Sequence, residues 1–355
     1  MSDYKFKESA SIPFERVKEW SAELYEKLGM SKEDALIMAD IQATADVRGV
    51  YSHGIQRAST YTRRIQDKSI DAKAKPEIIR DAGALVLVDG KNAMGQISAY
   101  RAMKIAIEKA REFNVSAVAV KGGSHLGAMA YYAMMASQED MVGICYAQGA
   151  ANTLAPFGGK EKFLGNNPIG YAIPAFSKPD VVLDMALSTV AGGKLHMHLI
   201  TGDPIPDTWA LDKDGNPVTN PADYYSLQPI AGYKGYGLSF VTTLLTAVLC
   251  SCPWGRNQVD LIDANDKRPL NISYIMQAIN IGAIVDVEEF KKRVDEAIDQ
   301  VKISPRRDGV EEILVPGEPE ARMHELQLKN GIAYPVELIR LVEELSGQLG
   351  ISALA

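Results

Sequence analysis

Only three cysteines occur in the 355 residues, and Cys145, Cys250 and Cys252 form no CxxC pair. That excludes a disulfide scaffold and any cysteine-based zinc site, and the apolar runs around them predict reduced, buried thiols. No stretch reaches the roughly 20 apolar residues of a membrane span, and the N-terminal MSDYKFKESA has neither the apolar core of a signal peptide nor an Arg-rich transit pattern. A cytoplasmic protein with no membrane partner is therefore expected. Positive charge is also short, 38 Lys and Arg against 45 Asp and Glu for a formal net charge of −7, which argues against nucleic acid as a partner. Missing too are the two common phosphate cradles, since no G-x-G-x-x-G follows a strand pattern and no G-x-x-x-x-G-K-[ST] occurs. His196 and His198 make an H-x-H with no third ligand in pattern, so no metal is expected.

What is present is an α/β texture at a length that suits two or three lobes. Val17, Trp20, Leu24 and Leu28 recur at helical spacing, Gly29 stops that helix, and Ser31 with Asp34 resembles a capping box, so residues 12–67 predict two or three helices. Ala84–Val88 predicts a strand ending at the Asp89-Gly90 turn, and Ser98–Phe113 a helix. Val115–Val120 predicts a strand buried on both faces. Met141–Ala147, Ile169–Pro174 and Val181–Met185 are further short apolar runs. Gly202–Gln228, with four prolines, reads as loop; Tyr236–Leu249 predicts an apolar helix, Ile272–Ile281 a strand, and Leu338, Leu341, Val342 and Leu345 a terminal helix.

The densest polar cluster runs from Arg48 to Arg57, RGVYSHGIQR, at the junction of two helical segments. Two guanidinium groups, the Ser52 hydroxyl and the His53 imidazole are what a 2-oxo or 2-hydroxy acid needs. Arginine grips a carboxylate bidentately, and histidine can pass a proton to or from the substrate oxygen. A surface helix carrying ordinary charges is the plainer alternative. His125, in the Gly-flanked GGSHLG after a strand, stands where α/β proteins place ligand groups. GYKGYG at 232–237, opening an apolar helix, could meet a phosphate with backbone N–H groups or could serve as a simple turn into the helix.

Seven segments in order carry a resemblance: RGVYSHGIQR, GGSHLGAMAYYAMMA, PFGGKEKFLGNNPIGYAIPA, VVLDMALSTVAGGK, IPDTWALDKDGNPVTNP, PIAGYKGYGLS and LVPGEPE. They resemble the malate/L-lactate dehydrogenase family, which includes malate, sulfolactate, ureidoglycolate and diketogulonate oxidoreductases, over about residues 12–345. The resemblance implies a non-Rossmann NAD(P)-binding α/β fold with a helical domain from both termini. It implies a division into 1–75 plus 325–355 (helical), 76–120 plus 235–324 (central, dimerisation) and 121–234 (cofactor-binding), and a homodimer using no metal.

Carried onto matching positions, the same resemblance makes His53 the proton donor in reduction, with His125 its competitor. Ser52, Arg48 and Arg57 become substrate contacts. Cofactor contacts fall on Val181, Val182, Leu183, Asp184, Met185, Ala186 and Leu187, on Tyr233 and Lys234, and on Gly317, Glu318 and Pro319. The cofactor is NAD, with NADP open. Two departures stand out. Gly149 replaces a hydroxyl residue found in many relatives, and Gly192-Gly193-Lys194 lacks a bulkier or basic first residue. Two arginines suit two carboxylates, which ranks malate/oxaloacetate first, lactate/pyruvate second and ureidoglycolate third. The non-redox alternative is a protein that only senses a dinucleotide or an organic acid.

Overall fold

The computed structural model describes residues 8–190 and 192–355, without the side chains of residues 193, 196, 197, 200 and 201. The chain opens with strand β1 (Ser9–Ile12), helix α1 (Phe14–Lys27) and helix α2 (Lys32–Val47). Ser31 caps α2 as its spacing predicts, its hydroxyl accepting from Asp34 N–H at 3.3 Å. Helix α3 (Ala58–Gln66) follows two short 3-10 turns.

A seven-stranded mixed sheet forms the centre. Its strands are β2 (Glu77–Ala82), β3 (Leu85–Asp89), β4 (Val115–Gly123), β5 (Met141–Ala147), β6 (Ile169–Ile173), β7 (Val181–Met185) and a late strand, β11 (Ile272–Asn280), in the order β2-β3-β4-β11-β5-β6-β7. Only β3 and β4 run parallel, because helix α4 (Gly95–Phe113) crosses between them; every other neighbour is antiparallel. A Rossmann sheet is mostly parallel. The missing fingerprint and the topology therefore agree.

Helices α4 and α5 (Met129–Ser137) cover one face of the sheet and bury Val118, Val120, Met276 and Ala278 against Met103, Ala106, Tyr132 and Ala133. Contrary to expectation, β4 is buried on one face only: Ala117 and Ala119 are half-buried. The layer over that second face is narrow, with Ala119 packing on Ala247, Cys250 and Cys252, so it does not close. All three thiols are free and buried, as the sequence predicts.

A second core draws on both ends of the chain, joining Val17, Trp20, Leu24 and Met38 to Ile332, Tyr334, Val342 and Leu345. Strand β12 (Ile332–Pro335) pairs antiparallel with β1, Ile12 opposite Ile332, ahead of the terminal helix α10 (Val336–Leu349), and Trp20 Nε1 donates to Ser346 Oγ at 2.9 Å. Within the expected loop at 202–228 lie three two-residue strands, β8 (Ala210–Leu211), β9 (Pro217–Val218) and β10 (Ser226–Leu227), which form a small sheet over Leu154 and Leu164. Helix α6 (Gly192–Thr201) precedes them and α7 (Tyr233–Thr243) follows, running on into a π turn at Leu244–Val248. Helices α8 (Val287–Lys302) and α9 (Glu318–Asn330) complete the chain. No helix among the described residues is long and apolar enough to cross a membrane.

Candidate active site

The RGVYSHGIQR segment links α2 to α3 and is bolted down from beneath. Asp46, in the last turn of α2, is fully buried; its Oδ2 accepts from Ile55 N–H at 2.9 Å and from Tyr334 O–H at 2.8 Å. Burial pushes this carboxyl up to about 7 against the pull of those two bonds. Gly54 is obligatory here, because a Cβ would sit 1.7 Å from Asp46 Oδ1. Gln327 of α9 adds a second bolt. Its amide donates to Asp46 O at 3.0 Å and Val47 O at 3.1 Å, and it accepts from Tyr51 O–H at 2.9 Å and Ala333 N–H at 3.0 Å. The loop is thus held by the C-terminal segment hundreds of residues away.

Above this foundation His53 and His125 lie face to face, with ring centroids 5.6 Å apart and planes 18° off parallel. Ser52 Oγ is 2.8 Å from His53 Nδ1, and Arg57 Nε donates to Ser52 O at 2.7 Å, which lays the guanidinium beside the ring pair. His125 belongs to the loop after β4. Its Nδ1 lies 2.6 Å from Tyr61 Oη, and that phenol in turn accepts from Gln96 Nε2 at 3.0 Å. Both imidazoles are half-exposed yet hemmed in by protein, the signature of a cleft lining. Desolvation and then Arg57 lower His53 to about 4; desolvation, then His53 and Arg57, hold His125 well below its usual value. Both rings are neutral at pH 7 in the free protein. Two open concavities elsewhere, one lined by Ser11, Phe14, Lys329 and Gly331 and one along α8, contain none of these groups.

Arg48 faces a different neighbourhood. The charges acting on it are Glu320, Asp184 and Asp180, and it is His324, not His53, that feels its field. This is also where the predicted cofactor segments meet. Edge strand β7 is closed by residues 316–317, with Val182 N–H donating to Pro316 O at 3.0 Å, and a Cβ on Gly317 (φ +84°) would come within 2.7 Å of Val182 O. The Asp184 carboxylate accepts from Ala130 N–H at 2.8 Å, at the positive end of α5, and desolvation nevertheless raises it to about 6. Glu318 is already committed, accepting from Lys302, Arg322 and Val315 N–H. Ile230 N–H donates to Leu187 O at 3.0 Å and so carries the GYKGYG turn to the end of β7, where Tyr233 stands exposed with its ring edge on Phe157.

Three distant segments therefore meet around β7, and Arg48 ties that neighbourhood to the loop that carries His53. At Gly149 a Cβ would lie 2.6 Å from Asn166 Oδ1 and 2.8 Å from Asn166 N, so a side chain has no room at this point of the loop. Lys194 places its amine 5.3 Å from the Trp209 ring centroid. Of the H-x-H pair, the His196 side chain lies outside the described residues, while His198 packs edge-on against Trp209; among the described residues no group of three metal-ligating side chains occurs.

Four site residues escaped the sequence reading: Asp46, Tyr61, Gln96 and Gln327. One signal was available, because Arg57 and Tyr61 stand four residues apart, one turn of helix, at the entry to α3. Gln96 carries no such mark.

Comparison with known proteins agrees with this geometry. Residues 12–343 match the family model described as malate/L-lactate dehydrogenase. Malate dehydrogenase of Pyrococcus abyssi is 35% identical over 97% of this chain and 96% of its own, and L-sulfolactate dehydrogenase of Methanocaldococcus jannaschii is 35% identical over 95% and 97%. The solved structure of malate dehydrogenase from Pyrococcus horikoshii OT3 superposes with a TM-score of 0.90 at 30% identity, over 99% of both chains. With fold and sequence in agreement along nearly its whole length, the chain belongs to the malate/L-lactate dehydrogenase family.

Proposed function

We propose that this protein interconverts malate and oxaloacetate, with NAD as the hydride carrier. Family membership makes it a 2-hydroxyacid dehydrogenase; the choice of acid and of nucleotide is our reading. The observation that supports it best is the neutral histidine pair beside Arg57, and we take the space from this pair to β7 as one cleft. The cleft suits a dinucleotide: Gly317 brings backbone against β7 where any side chain would collide, and Asp184 lies open to the cleft beside Arg48. Bound there, the nicotinamide would supply or accept the hydride.

The chain's own residues do the rest. Arg57 grips the carboxylate next to the reacting carbon, and the carbonyl oxygen falls at the edge of the ring pair, where imidazole N–H groups donate in the ring plane. His53 gives that oxygen a proton as the alcohol forms and takes it back in oxidation. A bound carboxylate offsets the Arg57 field that depresses His53, so substrate raises the affinity of His53 for its proton. Arg48, among the residues of β7 and α9, we assign to the cofactor end of the cleft or to the second carboxylate of malate. We also keep the three-part division of the chain, supported by the core that both termini share.

The test is oxidation of NADH and NADPH with oxaloacetate, pyruvate and sulfopyruvate, followed by nicotinamide absorbance, alongside NAD reduction with ureidoglycolate. A preference of at least an order of magnitude for oxaloacetate with NADH is expected. Preference for another acid moves the substrate, and no turnover with any acid overturns the reading.

A homodimer is part of the same proposal. Along α7 and its π turn, Leu238, Val241, Leu245, Val248 and Leu249 are exposed in succession, an apolar strip of the kind that a subunit interface covers. Changing Leu245 and Val248 together to Glu is expected to halve the mass measured by light scattering. A mass unchanged from a dimeric wild type would rule this strip out as the interface.

A further inference from the structure

We infer that Gln96, acting through Tyr61, is a positioning residue that locks His125 as a neutral imidazole with its proton on Nε2, so that the two facing histidines have different roles. The inference rests on the proposed reaction for its use, and on hydrogen-bond bookkeeping for its substance. Gln96 and Tyr61 are both fully buried. The Gln96 amide donates to Tyr61 Oη at 3.0 Å, and the other partner of that oxygen is His125 Nδ1 at 2.6 Å. A phenol carries one proton. With one lone pair taken by Gln96, that proton points at Nδ1, which must accept it; a neutral ring then carries its own proton on Nε2.

The orientation of the amide decides the direction of the chain, and burial decides the orientation. Gln96 Oε1 is buried without a partner among the described residues. As placed, the amide leaves Oε1 and one N–H without partners; turned over, it would leave both N–H donors orphaned in that same dry spot, and a buried donor without a partner is tolerated less than an acceptor. The relay also opposes a charged His125. An imidazolium would need to donate from Nδ1, and Tyr61 would then hold two incoming donors and a proton with nowhere to go. Burial and the Arg57 charge act in the same direction.

His53 is placed differently. Its Nδ1 partner is the half-exposed hydroxyl of Ser52, which rotates freely between donating and accepting and so tolerates either charge state. The division of labour follows. His125 offers a fixed Nε2–H that polarises the 2-oxo group, while His53 arrives at the reaction protonated. As hydride adds to the carbon, the His53 Nε2 proton moves to the oxygen, the C=O π bond becomes a C–O single bond, and His53 is left neutral. The reverse sequence serves oxidation.

The experiment is nitrogen NMR of protein labelled with 15N-histidine at neutral pH, on wild type, Gln96→Glu and Tyr61→Phe. In wild type the His125 Nδ1 resonance is expected in the unprotonated range and Nε2 in the protonated range. The ionised carboxylate that Gln96→Glu introduces can only accept, so it turns the Tyr61 proton round, moves the His125 proton to Nδ1, and lowers kcat by roughly 10²-fold or more through loss of a donor to the developing oxyanion, with NADH affinity unchanged. Tyr61→Phe loses the fixed tautomer and falls in kcat likewise. A wild-type His125 protonated on Nδ1, or charged, overturns the inference even where a variant fails to fold. The tautomer is read without substrate, so failure of the malate assignment would leave it standing or falling alone.

Discussion

Replacing His53 with alanine is expected to lower turnover with oxaloacetate by roughly two to four decades, the usual loss for an acid/base group, while NADH still binds. Only Arg57 among the arginines acts on this ring, and burial with that charge holds it at about 4 in the free protein. Above that pH the free enzyme carries His53 neutral, and the proposed reaction needs it protonated. Substrate must therefore bring a proton in. The dissociation constant for oxaloacetate is expected to rise with pH across the neutral range in wild type, and that slope should vanish in His53→Ala. His125→Ala should lose comparable turnover but keep the slope. The measurement is oxaloacetate affinity by calorimetry in buffers of different ionisation enthalpy, which counts the protons taken up. A slope lost in His125→Ala and kept in His53→Ala reverses the two roles.

That contrast between the histidines marks what the sequence could show. Local signals served well: the Ser31 cap, the apolar runs of β4 to β7 and the late β11 all lie where spacing puts them. RGVYSHGIQR and GGSHLG held the two histidines without any hint that they would stack, because 71 residues and a strand–helix–strand unit separate them in the chain, and only the sheet brings them together. Arg48 shows the converse. Five residues from His53 in sequence, it follows the end of α2, where the chain turns, and faces β7 and α9 instead. Strand β2 gave no apolar pattern since every residue of it is exposed at the sheet edge. Asp46, Gln96 and Gln327 were invisible because a buried polar residue is recognisable only by its partners, and theirs come from the far end of the chain or from a different layer.

Asp46 carries the second large expectation, with its partner Gly54. Gly54→Ala is expected to destabilise the protein by about 3 kcal/mol or more through overpacking, since its new Cβ would lie within 2.3 Å of all three carboxyl atoms of Asp46. Turnover should fall with it, because the same loop carries His53 and a displacement of even ~1 Å can cost about 10²-fold. Asp46→Asn separates charge from shape. The native carboxyl is raised from 3.8 to about 7, so between those values the folded protein holds a proton that the unfolded chain has lost. Wild-type stability therefore drops across that window as pH rises, by about 4 kcal/mol in all at about 1.4 kcal/mol per pH unit of displacement. Asparagine has no such titration, and every other ionising group is common to both proteins and cancels in the difference. Relative to wild type, Asp46→Asn should gain stability steadily from pH 4 to pH 7 and no further above pH 8, measured by urea unfolding at each pH. A difference that stays flat with pH would mean that Asp46 is ionised throughout, and that the loop beneath His53 is anchored by a buried carboxylate rather than by a carboxyl group poised near neutrality.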